Sequence, residues 1–281
     1  MNKTWFGVFL AFLLFVSSST AYAAENQIKI DGVAIATDVK PELKDNRIMV
    51  PLRVVSENLG AIVEWSSSEV ILTKSDMKVI LTLDSSTAEN NGESVLLDVK
   101  PYMKNNRVFV PLRFIAETFE CKVNYSKFAV TVDTKPFSID GVQVKAMQHE
   151  YHMTMGGVVQ QLNGNAYNES MYTIFVKNKG ERIEAPANYS WNSHTETGTY
   201  YKYGQYDFLD HKGNQLSSFD IYTLTNLSAT KPISESPEVL IHDAIADEWY
   251  LFSETAKESI NQLFSNAAKN GFLTIISNTV V

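Results

Sequence analysis

His149 and His152, in the run His-Glu-Tyr-His, are the closest approach to a metal or acid–base site in this sequence. Two residues three apart share a face on a helix but point to opposite sides of a strand. The flanking residues read as strand, so the two imidazoles are not a ligand pair. Neither a His-Glu-x-x-His metalloprotease pattern nor a Gly-x-Ser-x-Gly nucleophile elbow is present. His194, His211 and His242 have no sequence-local partner. Asp207, Asp210 and Asn214 carry calcium-type oxygens, but their spacing is not that of an EF-hand loop, and such residues build turns for backbone reasons. A single cysteine, Cys121, excludes an intramolecular disulfide and a Cys-rich zinc site. The reading therefore assigns no catalytic, cofactor-binding or metal-binding residue.

Aromatic residues give a denser signal. Tyr189, Trp191, Tyr200, Tyr201, Tyr203, Tyr206 and Phe208 are interleaved with Asn192, Ser193, Thr195, Thr197, Thr199 and Gln205. Rings beside amides and hydroxyls suit flat sugar faces, because the ring covers C–H groups while polar atoms read hydroxyls. Ordinary β core with a tyrosine-rich solvent face is the other reading of the same residues. If Thr199 to Phe208 is extended, alternation places Tyr201 and Tyr203 opposite Tyr200 and Tyr206. One pair then packs inward, and the other remains available with Trp191 as a platform.

The elements that position these residues follow from a repeat. Asp38–Thr73 reads DVKPELKDNRIMVPLRVVSENLGAIVEWSSSEVILT, and 60 residues later Asp98–Asp133 reads DVKPYMKNNRVFVPLRFIAETFECKVNYSKFAVTVD, with 15 of 36 positions identical. The turns Asp31-Gly32 and Asn91-Gly92 extend the match backwards, so the repeats cover 28–73 and 88–133. Each copy predicts a strand (Arg47–Val50; Arg107–Val110) and then a proline, Pro51 or Pro111, at the first helical position. A short helix follows, with Leu52, Val55 and Leu59, or Leu112, Ile115 and Phe119, on one face. Two strands close each unit, Ile62–Trp65 with Val70–Thr73 and Lys122–Tyr125 with Ala129–Val132, and Lys78–Leu83 links the copies. Gly60 suits a left-handed helix end, whereas Glu120 in the second copy is expected to end its helix differently. Arg53–Glu57 and Arg113–Glu117 read as structural pairs or anchors to backbone carbonyls, with an anion-binding arginine as the alternative. Cys121 stands where Ala61 does, which argues for a small packed residue.

The pattern DG, DxxP, NRxxVPLRxxxExxG, xVxW and a closing strand, over about Ile28–Thr134, resembles the copper amine oxidase N-terminal-like domain, the stalk domain of many exported Gram-positive bacterial proteins. Glu120-Cys121 departs from the family's usual Gly-Ala. The resemblance implies a non-catalytic accessory domain appended to cell-wall enzymes or surface-layer proteins. It does not imply amine oxidation: Asn124-Tyr125 and Asn188-Tyr189 are each followed by serine, unlike the Asn-Tyr-Asp/Glu setting of the redox cofactor.

Beyond Pro136 the repeat stops, and Asp140-Gly141 opens strand-forming stretches at Val142–Met147, Met171–Val176, Tyr200–Leu209 and Ser218–Leu224. Glu254–Lys269 reads as an amphipathic helix capped by Ser253, with Ile260, Leu263, Phe264 and Ala267 on its apolar side, Gly271 past its end and a last strand over Phe272–Val281. The expected class is α+β: a duplicated antiparallel strand/short-helix domain (24–135), then a mainly β domain (136–281) with one late amphipathic helix.

Lys3, the 12-residue apolar run Trp5–Val16 and the Ala21, Ala23 pair read as a signal peptide cleaved after Ala23, the run being shorter than the ~17 residues needed to span a bilayer. The formal net charge of -8 has the wrong sign for a nucleic-acid binder. The reading is a secreted, extracellular or wall-associated protein without a membrane span after cleavage, non-enzymatic, binding wall glycan or another envelope protein. An extracellular hydrolase with its site in 137–281 and a partner-binding protein or inhibitor using a strand edge are the alternatives.

Overall fold

The computed structural model of the chain describes residues 27–66, 68–74, 77–126, 129–153, 155–191, 197–225 and 237–280. The expected signal peptide, residues 1–23, and Asn192, Ser193, His194 and Thr195 lie outside them. The first repeat supplies β1 (Gln27–Ile30), β2 (Val33–Ala34), β3 (Glu42–Lys44), β4 (Arg47–Pro51), α1 (Leu52–Asn58), β5 (Ile62–Ser66) and β6 (Glu69–Lys74). After β7 (Met77–Thr82), the second supplies β8 (Thr87–Asn90), β9 (Glu93–Leu96), β10 (Tyr102–Lys104), β11 (Arg107–Pro111), α2 (Leu112–Thr118), β12 (Lys122–Tyr125) and β13 (Ala129–Asp133). The remainder forms β14 (Ser138–Ile139), β15 (Val142–Gln143), β16 (Ala146–Met153), β17 (Gly156–Leu162), α3 (Asn165–Lys177), β18 (Arg182–Ile183) and β19 (Tyr189–Ser190). It closes with β20 (Tyr200–Leu209), β21 (Gln215–Leu224), β22 (Val239–Asp243), β23 (Glu248–Phe252), α4 (Glu254–Lys269) and β24 (Leu273–Asn278).

Residues 60 apart meet across a local two-fold axis. β4 and β11 pair antiparallel with Val50 opposite Val110, Pro51 opposite Phe109 and Met49 opposite Pro111. Arg47 pairs with Asp98 at 2.6 Å and Arg107 with Asp38 at 2.5 Å, the same bridge made twice in opposite directions. Hydrogen bonding from Arg107 holds the Asp38 carboxyl below its usual range. At the next equivalent pair, Glu42 accepts from Lys104 and Tyr102, which lowers its pKa, while burial and that bond raise the Tyr102 hydroxyl. Each sheet here mixes the copies: β10-β11-β4-β3, β12-β13-β1-β2 with β1 parallel to β13, and β5-β6-β7-β8-β9.

The helix faces read from sequence are the buried ones: Leu52, Val55, Leu59, Leu112, Ile115 and Phe119 are all nearly inaccessible. Pro51 and Pro111 sit one residue earlier than expected, as extended N-caps with ψ of 112° and 121°, because each also completes the β4–β11 ladder. α2 ends as α1 does. Glu120 adopts φ 56°, like Gly60 at 87°, and Cys121 N–H donates to Ala116 O as Ala61 N–H does to Ser56 O. Burial of Cys121 against the shared core dictates this geometry against the side chain's preference. A left-handed non-glycine residue costs about 1–2 kcal/mol, partly offset in glycine by unfolded-chain entropy, so Glu120→Gly is expected to stabilise the protein by roughly 0.5–1 kcal/mol in urea titrations.

Beyond residue 135 a nine-stranded sheet runs β18-β23-β22-β21-β20-β16-β17-β24, with β19 added parallel to β20. α3 and α4 pack against one of its faces, where Phe175 and Phe264 meet Tyr206. α4 has the expected bounds, and its Ser253 cap accepts from Ala256 N–H at 3.0 Å. α3 corrects the reading of Met171–Val176 as a strand. Those β-branched and aromatic residues are helical because Tyr167, Met171 and Phe175, at spacing four, bury one stripe in the core. Val142–Met147 likewise divides between two strands, β15 and β16.

The buried apolar cluster is continuous from Ile28 to Phe272 and includes side chains from both sides of residue 135. Polar contacts cross the same boundary. Tyr167 Oη donates to Asn58 Oδ1 at 2.9 Å, and Asn270 Nδ2 donates to Tyr167 Oη at 3.3 Å. Asp31 reaches furthest: its Oδ1 accepts from Thr134 N–H (2.8 Å), and its Oδ2 accepts from Thr134 Oγ1 (2.6 Å) and from Asn165 N–H (2.9 Å) at the start of α3. The N-cap of α3, Gly164, has no side chain to do this, so a hairpin turn of the first repeat caps a helix of the other half.

Candidate functional site

β20 carries four of the five aromatic candidates, and its geometry decides what they can do together. It pairs with β16 and β21, and its register against β21 shifts between Lys202 and Gly204. One extra residue at this bulge reverses the side-chain alternation. Tyr200 therefore buries among Tyr222, Leu240 and Trp249, whereas Tyr206 enters the helix-covered core beside Phe175. Unbroken alternation put Tyr200 and Tyr206 on one face; Gly204 beside the bulge was the residue that could have shown otherwise. Tyr203 is on the helix side, where it donates to Asn261 Oδ1 at 3.0 Å and Lys257 Nζ lies 5.2 Å from its ring. Tyr201 is half-buried. Trp191 covers the other side of the sheet, stacked on His152 at 4.4 Å with the Lys202 ammonium 4.0 Å from its ring. The structure thus does not bring Trp191 and Tyr203 together, and Tyr200 and Tyr206 are both buried.

Beneath Trp191 lies a charged network that the sequence did not disclose. Lys202 Nζ is 2.9 Å from Asp220 Oδ2, with both residues buried. The same oxygen is 3.4 Å from His242 Nδ1, while His242 Nε2 is 3.0 Å from Asp247. His242 therefore has partners after all, one of them 22 residues away on a neighbouring strand. Both of its ring nitrogens face carboxylates. His149 and His152 do point to opposite sides. His149 is buried, stacked on Tyr206 at 4.4 Å, bonded to Gln160, and held neutral by a pKa pulled down to about 3 by burial. The Cys121 thiol is pushed up to about 11 by burial, the opposite of nucleophile activation. Arg53 donates to Val63 O at 3.2 Å, the carbonyl anchor read from the sequence.

Asp210 Oδ1 accepts from the backbone of Lys212 and Asn214, closing the β20–β21 turn. Asp207 accepts from Gln205, Gln215 and Ser218. Among the described residues, no cluster of three or more His, Cys, Asp or Glu is placed to hold a metal, and no helix is long and apolar enough to cross a membrane.

The sheet's one long margin is different in kind. β24 is its last strand, paired only through β17 among the described residues, with Ile275 64% and Ile276 51% exposed. From Phe272 to Val281 there is no charge, proline or glycine. Exposed edges are ordinarily blunted by such residues or by a bulge; here a register shift against β17 leaves Ile276 as an extra residue, and the stretches on either side of it are open to pairing with another strand.

Three mixed sheets around two equivalent proline-led helices form the first part of the chain, joined to a large, mainly antiparallel sheet whose last strand is β24. Residues 29–134 match the family described as Copper amine oxidase N-terminal domain. That domain is separate from the catalytic domain of copper amine oxidases. The chain is also similar to a protein named "Protease inhibitor" from Brevibacillus choshinensis, 25% identical over 152 residues, which are 53% of this chain and 46% of that protein. The chain thus spans about half the length of that curated relative. No solved structure matches.

Proposed function

We propose that this is an exported, non-enzymatic protein of the cell envelope that works by binding another protein, with the open edge of β24 as its contact. The observation that carries the reading is this uncharged edge with Ile275 and Ile276 exposed, since strand addition supplies main-chain hydrogen bonds and alternate side chains supply specificity. Export rests on the signal-peptide pattern of residues 1–23. The name of the Brevibacillus choshinensis relative favours a protease as the partner. The division of Trp191, Tyr200, Tyr203 and Tyr206 between two sides of the sheet favours a protein over wall glycan at this half of the molecule.

The test is inhibition of a panel of purified extracellular serine, cysteine and metalloproteases by the intact chain and by an Ile275→Lys/Ile276→Lys variant. Inhibition of at least one protease, weakened tenfold or more in the variant with an unchanged melting curve, is the expected result. Equal inhibition by both proteins, or full activity of every protease, overturns the reading.

A further inference from the structure

The two-fold relation between the repeats creates a second kind of surface. Two grooves flank the axis, and each draws on both copies. One, of about 310 Å³, is lined by Asn46 and Arg47 from one repeat with Pro111, Arg113 and Tyr125 from the other. The second lies in a cleft of about 730 Å³ and contains the same set moved by 60 positions: Asn106 and Arg107 with Pro51, Arg53 and Trp65.

The aromatic member distinguishes these grooves from scaffold. Core positions in the two copies match because the core requires it, but Trp65 and Tyr125 are 44% and 48% exposed and lie outside the buried cluster. The Arg113 guanidinium lies 5.3 Å from the Tyr125 ring centroid, yet that ring stays about half exposed, and no buried cluster accounts for a large ring at either position. The arginines beside each ring are already matched by carboxylates: Arg47 by Asp98, Arg113 by Glu117, Arg107 by Asp38 and Arg53 by Glu57. Apart from Lys269, which α4 contributes to the larger cleft, each groove therefore presents a flat apolar face next to planar donors and acceptors whose charges are paired. That combination suits a neutral ring bearing C–H faces and hydroxyls, and it gives a polyanion little to neutralise.

We infer that the repeat domain carries twin subsites for a neutral polysaccharide, with Trp65 and Tyr125 as the stacking platforms. Two related subsites on one fold fit a ligand with repeating units, since binding at the first raises the effective concentration at the second. The site is independent of the β24 edge, so it can hold the protein at a glycan surface while that edge engages a partner.

Isothermal titration of the intact chain with chitohexaose, with cellohexaose as a second neutral probe and poly-glutamate as a polyanion, tests this. One neutral hexaose is expected to bind. Trp65→Ala and Tyr125→Ala should each weaken binding five- to tenfold, and the double variant should abolish it, with the melting temperature unchanged. Trp65→Phe and Tyr125→Phe should retain binding, which separates stacking from a folding defect. The Ile275→Lys/Ile276→Lys variant should bind the hexaose normally, so failure of the protein-binding reading leaves this one testable. The inference is overturned by absence of neutral-glycan binding, by binding that survives the double variant, by loss in the phenylalanine variants, or by preference for poly-glutamate.

Discussion

Asp31→Ala is expected to destabilise the protein by about 4 kcal/mol, a large effect for a residue at the tip of a hairpin. Its carboxylate accepts three hydrogen bonds, from Thr134 N–H, Thr134 Oγ1 and Asn165 N–H, that tie the β1–β2 turn to the end of the repeats and to the start of α3. Hydrogen bonds to charged groups contribute ~1.5–3 kcal/mol each, less when they share one acceptor group. The residue also has φ 49°, where alanine adds about 1 kcal/mol of strain. Asp31→Asn tolerates that backbone and keeps one carbonyl oxygen, so it should lose less than half as much. Urea melts of the two variants check the energies, and hydrogen exchange at the first turn of α3 checks the cap. Equal losses in both variants, or unchanged exchange there, would show that Asp31 is only a turn residue.

Phe175→Ala should cost about 4 kcal/mol, in the range for emptying a buried aromatic site. Phe175 has no exposed surface, and its ring lies 4.9 Å from both Tyr206 and Phe219 and within 6.5 Å of Phe208 and Phe252. It is the contact through which α3 organises the inner face of the large sheet. The neighbouring Val176 is 44% exposed, and Val176→Ala should change stability by no more than about 0.5 kcal/mol. Similar values for the two variants in chemical denaturation would mean that α3 is not docked as described.

These two residues also mark where sequence reasoning stopped. The repeats were legible because periodic identity and the Pro-led helix faces are local, and Leu52, Val55 and Leu59 bury as their spacing implies. α4 was legible from its cap and its stripe. α3 was not, because Met171–Val176 is made of strand formers whose helical state is imposed by tertiary burial, although Tyr167, Met171 and Phe175 carried the period. The bulge at Lys202–Gly204 hid the split between Tyr200 and Tyr206, since one extra residue inverts every later position. Asp31, 103 and 134 residues from its partners, gave only a turn signal. Asp220 and His242 likewise meet only once their strands pair. The grooves at Tyr125 and Trp65 were invisible for a different reason, because each is assembled from two copies that the sequence presents one after the other.

The pairing of Val50 with Val110 has a consequence for a chain cut to a single repeat. Such a fragment would keep Arg47 and Asp38 but have no Asp98 or Arg107 to match them, and its central strand would lack a neighbour. A second molecule of the same fragment could meet both needs, because the register is self-complementary about that valine. The fragment should therefore fold only as a homodimer, with a melting temperature that rises with its concentration. Joining the copies in tandem removes that dependence: the partner is always present on the same polypeptide, and dilution cannot separate the halves.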